Sequence, residues 1–291
     1  MPKTLSCDTG LGLRHRHSKV LSENPALSPW YEIVTENLMS TNGSFRDQVY
    51  AIAEKAPIAL HGVSLSIGGT DPLDYDYLKN LKDLAEETKA CYVSDHLCWT
   101  RVEGINLHDL LPLPYDKSCL VHCINRVKEV QDFLGRQILV ENPSSYFEFR
   151  QNTMSEAEFL AKLCDGSGCG LLLDVNNIIV TAYNHGLAID RYLSEIKNCD
   201  IGYFHLAGHT HYEGHKIDSH IGPVPEEVLA FYADCLSVFG RKPALLEWDE
   251  EIPALEELLQ EREKLDQFAT RTLGKRRRPA EYLATKNEAE I

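Results

Sequence analysis

The chain has 291 residues, 43% of them hydrophobic, and a formal charge of −15 at pH 7. That length suits one α/β barrel, typically about 250 residues, or two modest domains. The negative balance disfavours a nucleic-acid partner, whose phosphates need a basic surface, and no apolar stretch approaches the ~20 residues that cross a bilayer.

The N-terminal MPKTLSCDTG lacks the apolar core of a secretory signal, so a cytoplasmic protein without membrane association is expected. Nine cysteines (7, 91, 98, 119, 123, 164, 169, 199 and 235) are odd in number, scattered and free of any C-x-x-C pair. Reduced, mostly buried thiols in a reducing compartment fit that pattern better than a disulfide framework. The basic cluster from Lys275 to Arg278 reads as a solvated tail.

In chain order, apolar and β-branched runs bounded by Gly, Pro or charge predict strands at 5–13, 31–39, 58–67, 91–97, 137–143, 170–178, 201–209 and 243–249. The first runs into Arg14-His15-Arg16-His17, and the segment 15–29 behind it has no clear helical period. The second ends in Thr35-Glu36-Asn37. From there, apolar residues spaced three and four apart predict helices at 45–56, 75–90, 117–135, 155–164, 190–197, 225–240 and 253–273. Ser155 with Glu158 forms a capping box, and Pro225 suits a first helical position. Strands alternating with helices favour a closed (β/α)8 TIM-type barrel over an open doubly wound sheet. We expect one domain over 1–273, followed by a basic and polar tail at 274–291.

Active sites of such barrels lie at the carboxyl ends of the strands. Strands three to eight each carry a metal-capable side chain there: His61, His96, Glu141, Asp174, His205 with His209, and Glu247. A single strand-end histidine is more often a core residue bonded to a carbonyl. Two on neighbouring strands, converging on carboxylates without a basic partner, favour ligation. The stretch 205–220 holds five histidines and an aspartate. Although such a tract alone reads as an exposed loop, His205 sits on an apolar strand, where an unpaired imidazole is costly. Asp218 and His220 project to one side of an extended segment. His211 and His215 are left as neighbours or loop residues; His108, His122 and His185 read as structural or surface. Imidazole and carboxylate without clustered thiolates point away from structural zinc and iron–sulfur clusters, leaving Mn, Fe and Zn. Four carboxylates and about ten candidate ligands exceed the needs of one ion, so two or three are expected.

These residues fall in motifs that resemble a known family: GLGLR (10–14), TENLM (35–39), HGVSLSIG (61–68), SDHLCW (94–99), DLLPLPY (109–115), VENPSSY (140–146), LLLDVNNIIV (171–180), NHG (184–186), HLAGH (205–209), DSH (218–220) and LEWD (246–249). Their order is that of the multinuclear non-haem iron-dependent oxidative enzymes, the family that includes the catalytic subunit of methanobactin biosynthesis. The resemblance implies an α/β barrel holding two or three iron ions of mixed ferrous and ferric valence and using dioxygen. It implies oxidation of cysteine residues in a ribosomally made precursor peptide, often beside a separate peptide-recognition protein. Carried over, it places metal ligands at His61, His96, Glu141, Asp174, His205, Asp218, His220 and Glu247, with Asn177 and His209 as further candidates. Arg14, Glu36, Asn37 and Asn142 would hold the peptide or orient ligands. Arg14-His15-Arg16-His17, Ile179 and the His-rich 210–217 depart from the usual pattern and leave the substrate open. The alternative from another reaction class is a divalent-metal barrel isomerase or phosphodiesterase that needs no oxygen.

Overall fold

Strands form within the apolar runs but are shorter than the runs themselves. The computed structural model describes residues 4–39 and 43–274. Its strands are β1 Thr9–Gly12, β2 Tyr31–Val34, β3 Ile58–Gly62, β4 Tyr92–His96, β5 Trp99–Val102, β6 Ile105–Leu111, β7 Leu139–Glu141, β8 Gly170–Asp174, β9 Ile201–Ala207, β10 Thr210–Tyr212, β11 His215–Ile217 and β12 Ala244–Glu247. Eight of them close into a barrel in the order β1-β12-β9-β8-β7-β4-β3-β2, every neighbouring pair parallel. The barrel expected from the sequence is therefore present. The two remaining pairs, β5–β6 and β10–β11, are antiparallel hairpins outside it.

Alternation along each strand explains how the barrel is filled. Leu5, Trp30, Ala59, Leu139, Leu172, Tyr203 and Leu245 form a separate buried cluster. Trp30, Ala59, Leu139, Leu172, Tyr203 and Leu245 each stand two residues before Glu32, His61, Glu141, Asp174, His205 and Glu247. Side chains two apart on a strand share a face, so an apolar layer underlies a polar one inside the barrel. The intervening positions, such as Leu60, Val140, Leu173, Phe204 and Leu246, belong to the larger core between strands and helices. The polar layer thus rests on an apolar floor.

That floor has no spare room at β1. A Cβ on Gly10 would lie 2.4 Å from the Trp30 indole carbons. Gly10→Ala is expected to cost about 1–3 kcal/mol through overpacking, read as a lower thermal midpoint. An unchanged midpoint would mean that Trp30 shifts freely.

Two expected strands run on into residues that form helices. The second stops at Val34, and Glu36–Met39 turns into a short helix. The sixth stops at Asp174, whose side chain accepts the Asn177 N–H at 2.7 Å and caps a helix over Val175–His185. An unbroken apolar run cannot separate a buried strand from a buried helix. The segment without a clear period forms a helix, His15–Glu23, and a 3₁₀ turn, Pro25–Leu27. The other predicted helices appear with shifted ends, the last over Leu255–Gly274. The tail expected from 274 onward lies, apart from Gly274, outside the described residues. All nine cysteines are free thiols. Among the described residues no helix is long and apolar enough to cross a membrane.

Candidate metal centre

The register of the parallel strands sets candidate ligands side by side. His96 pairs with Glu141 across β4 and β7, and Asp174 with His205 across β8 and β9. His61 Nε2 and His96 Nε2 lie 3.1 and 3.4 Å from Glu141 Oε2. The other oxygen, Glu141 Oε1, is 3.6 Å from His205 Nδ1. That nitrogen is also 3.8 Å from Asp174 Oδ2 and 2.8 Å from Glu247 Oε2. Metal–ligand bonds of about 2.1 Å place neighbouring ligands roughly 3.0–3.4 Å apart, close to these spacings. Four groups whose ligand atoms fall within 4.8 Å of one another follow: His61–His96–Glu141, Glu141–Asp174–His205, Asp174–His220–Glu247 and Glu32–His205–Glu247. Glu141 joins the first two, and Asp174 the second and third.

Lone pairs inside this cluster lack donors. Glu141 Oε2, Asp174 Oδ2, Asn177 Oδ1, His205 Nδ1 and Glu247 Oε2 are buried, and none has a well-formed hydrogen bond among the described residues. His205 shows why. Its Nε2 faces Glu32 Oε2 at 2.9 Å, so in the neutral ring Nδ1 carries a lone pair aimed at the Glu247 carboxylate. Only a cation or a second ring proton relieves that contact. Burial disfavours a charged His205, yet Glu247, Glu32 and Glu141 outweigh it and raise its pKa well above the usual imidazole value. Burial, with Glu141 and Asp218 beside it, pushes Asp174 well up. Burial would also raise Glu247, but His205 and His220 hold it well below the carboxylate range. His61 is driven down by burial and by His96 and His205. Several buried acids and imidazoles sharing protons is what a multivalent cation would replace.

The other expected site residues divide by position. Asn142 holds Asp174 at both backbone atoms, donating to its carbonyl and accepting from its N–H at 2.9 Å each. Asn177 donates to the Asn142 carbonyl at 3.1 Å, and its Oδ1 is buried without a hydrogen-bond partner among the described residues. Asp218 Oδ1 lies 2.8 Å from His220 Nε2 and accepts from Asn176 at 2.7 Å. Arg14 pairs with Asp249 and stands 3.9 Å from Glu247. Glu36 accepts from the Val63 N–H and the Tyr77 hydroxyl, and Asn37 is exposed. His209 is not brought into the four groups: its Nδ1 meets Asn176 Oδ1 at 2.8 Å and its Nε2 meets Glu227 at 3.0 Å. His209→Ala is therefore expected to leave metal content at the wild-type level; loss of one ion, read by elemental analysis, would return it to the ligand set.

Outside the cluster, His17 bonds the Pro253 carbonyl, His122 that of Gly69 and His185 that of Ser145. His15 lies tilted against the Phe45 ring, His211 meets the Tyr183 hydroxyl and His215 stacks on Tyr212.

Two acids escaped sequence reasoning. Glu32, 1% exposed, lies in the polar layer against His205. The available signal was a lone charge inside the apolar run WYEIV (30–34). Asp95, 3% exposed, is pushed up to about 7 by burial and nearby Glu36, and accepts the N–H groups of Leu65 and His96.

Comparison with known proteins agrees with the resemblance read from the motifs. Residues 8–270 match the family described as RiPP precursor modification enzyme MbnB/TglH/ChrH. The chain is 46% identical over 255 residues to a UPF0276 protein of Rhizorhabdus wittichii, covering 87% of this chain and 91% of that one. It is 44% identical to a UPF0276 protein of Caulobacter vibrioides, covering 87% and 90%. Among solved structures it is similar in fold to a D-allulose 3-epimerase from Methylomonas sp., with a TM-score of 0.57, 14% identity and coverage of 95% and 100%. Endonuclease IV from Thermus thermophilus gives 0.56, 14%, and coverage of 91% and 99%.

Proposed function

Because this chain belongs to the MbnB/TglH/ChrH family of RiPP precursor modification enzymes, we propose that it oxidises cysteine residues of a ribosomally synthesised precursor peptide, using two or three iron ions and dioxygen. The observation that carries the metal part of this reading is the convergence of unpartnered buried lone pairs from Glu141, Asp174, His205 and Glu247. Oxygen and imidazole donors without thiolate suit iron among the first-row metals.

His61, His96 and Glu141 would hold one ion, Glu141, Asp174 and His205 a second, and Asp174, His220 and Glu247 a third, with Asp218 and Asn177 as further donors. Iron supplies the one-electron chemistry by which dioxygen oxidises a thiol-bearing side chain. The protein's share is to fix that set and keep water from beneath it. Asn142 locks the Asp174 backbone, and the apolar floor closes the barrel under the ligands. Arg14 and exposed Asn37 would contact the peptide, while Glu36 steadies the turn after β3 through the Val63 N–H. Exposed Tyr146, Phe147, Tyr183 and Tyr212 offer aromatic surface for an extended chain. Tyr146 ties that surface to the ligands, since its hydroxyl accepts the Asp218 N–H at 3.0 Å. A separate recognition protein would present the peptide.

The test is anaerobic iron loading, then exposure to air with cysteine-containing peptides encoded beside the gene, read by mass spectrometry. An oxygen-dependent mass change at cysteine is expected. Turnover of a sugar or phosphodiester with Mn, Mg or Zn and no oxygen demand would instead support the isomerase or phosphodiesterase alternative.

A further inference from the structure

Inside the barrel, five buried side chains form one hydrogen-bonded row. His61 Nδ1 lies 2.9 Å from Ser94 Oγ, and Ser94 Oγ lies 3.0 Å from the Tyr203 hydroxyl. Tyr203 donates to Glu32 Oε2 at 2.6 Å, and His205 Nε2 meets the same oxygen at 2.9 Å. Each of the five is 3% exposed or less. The two ends are candidate ligands that present different ring atoms to Glu141: Nε2 of His61 and Nδ1 of His205.

Counting hydrogens gives the row a direction. The Glu32 Oε2 that faces both Tyr203 and His205 accepts from each, and a hydroxyl has a single hydrogen to donate. Tyr203 gives its hydrogen to Glu32, so its oxygen is left to accept from Ser94. Ser94 has two alternative acceptors, the Leu60 carbonyl at 3.3 Å and His61 Nδ1 itself. Where the serine hydrogen goes to Tyr203 or to Leu60, the serine oxygen receives the Nδ1 hydrogen of His61, the arrangement that leaves His61 Nε2 free for a metal ion. His205 must likewise place its hydrogen on Nε2. With the serine hydrogen on Tyr203, every donor in the row points toward Glu32, and each histidine is left with its lone pair on the atom that faces the ligand cluster. His96 is fixed separately, by the Gly62 carbonyl 3.1 Å from its Nδ1.

We propose that Glu32 is a positioning residue whose one carboxylate sets the tautomers of both His205 and, through Tyr203 and Ser94, His61, and so couples two metal positions. The inference rests on the metal-centre part of the proposed function and not on iron, dioxygen or peptide. Outer partners of ligating histidines fix ring orientation and tautomer, and their loss costs about 10–100-fold in metal affinity. Here one charge would serve two ligands on opposite sides of Glu141.

The experiment is a Co2+ titration of metal-free protein, read by elemental analysis, chelator competition and the visible absorption of bound Co2+. The step lost in His96→Ala identifies the position formed by His61, His96 and Glu141. Ser94→Ala should weaken that step alone by about 10–100-fold. Glu32→Gln should weaken both that step and the one assigned to His205, with a change in the absorption of each. Ser94→Ala should add little to Glu32→Gln at the His61 position. Tyr203→Phe, which keeps the charge and the ring, should weaken the His61 step and spare the other; it serves as the test if Glu32→Gln does not fold. Wild-type uptake of two ions, with the His61 step untouched by Glu32→Gln or by Tyr203→Phe, overturns the coupling alone. Independent, multiplying losses in the Ser94–Glu32 double variant overturn it as well. Wild-type protein that takes up no Co2+ overturns both the coupling and the metal centre.

Discussion

Glu141→Ala is expected to strip two ions at once and abolish peptide oxidation while the barrel still folds. Its two oxygens face different histidines, Oε2 toward His61 and His96 and Oε1 toward His205. Losing an outer-shell partner of a ligand already costs about 10–100-fold in affinity or activity. Losing a carboxylate shared between two positions should exceed about 100-fold on that scale. Alanine also removes a buried charge beside Asp174, so the metal-free variant should be no less stable than metal-free wild type. Elemental analysis, turnover and thermal midpoint measured together decide this. A variant that keeps two ions, or that loses activity only because it unfolds, contradicts a bridging role.

The second large effect is on stability. Metal-free protein must hold Asp174 and Glu141 at 0–1% exposure beside lone pairs without donors. A ligand present at 100 times its dissociation constant stabilises the fold by about 2.7 kcal/mol. For a chain of this size each kcal/mol moves the midpoint by roughly 2–4 °C. Loading should therefore raise the midpoint by about 5–10 °C per tightly bound ion, and a strong chelator should reverse it. His209→Ala protein should show the full rise, because neither of its ring nitrogens faces the cluster. A midpoint indifferent to metal would mean that ions bind at the surface or not at all.

The barrel was legible because its strands are buried on both faces and read as nearly unbroken apolar runs; β3, β8 and β9 are buried throughout. The gathering of the candidate ligands in one cluster was legible for a related reason. A charged or imidazole side chain such as His61, Glu141 or Glu247 at the end of such a run has no cheap alternative to a partner or a metal. What was not legible depended on contacts distant in sequence. Glu32 pairs with His205, 173 residues away, and a lone charge inside the run WYEIV does not by itself name that partner. His209 shares a segment with His205, but side chains four apart across a strand end need not share a destination: β9 stops at Ala207. The β5–β6 hairpin was missed because β6 is exposed along most of its length, so its residues follow no burial period. Asp174 ended one element and began another, a decision made by its hydrogen bond to the Asn177 N–H and invisible in apolar content.

The most direct test of the account is anomalous diffraction at the iron edge from crystals of protein loaded with iron without oxygen. It predicts separate peaks on the two sides of Glu141, one bounded by His61 and His96 and another by Asp174 and His205. A single peak on the protein surface, or no peak within the barrel at full iron loading, would contradict it.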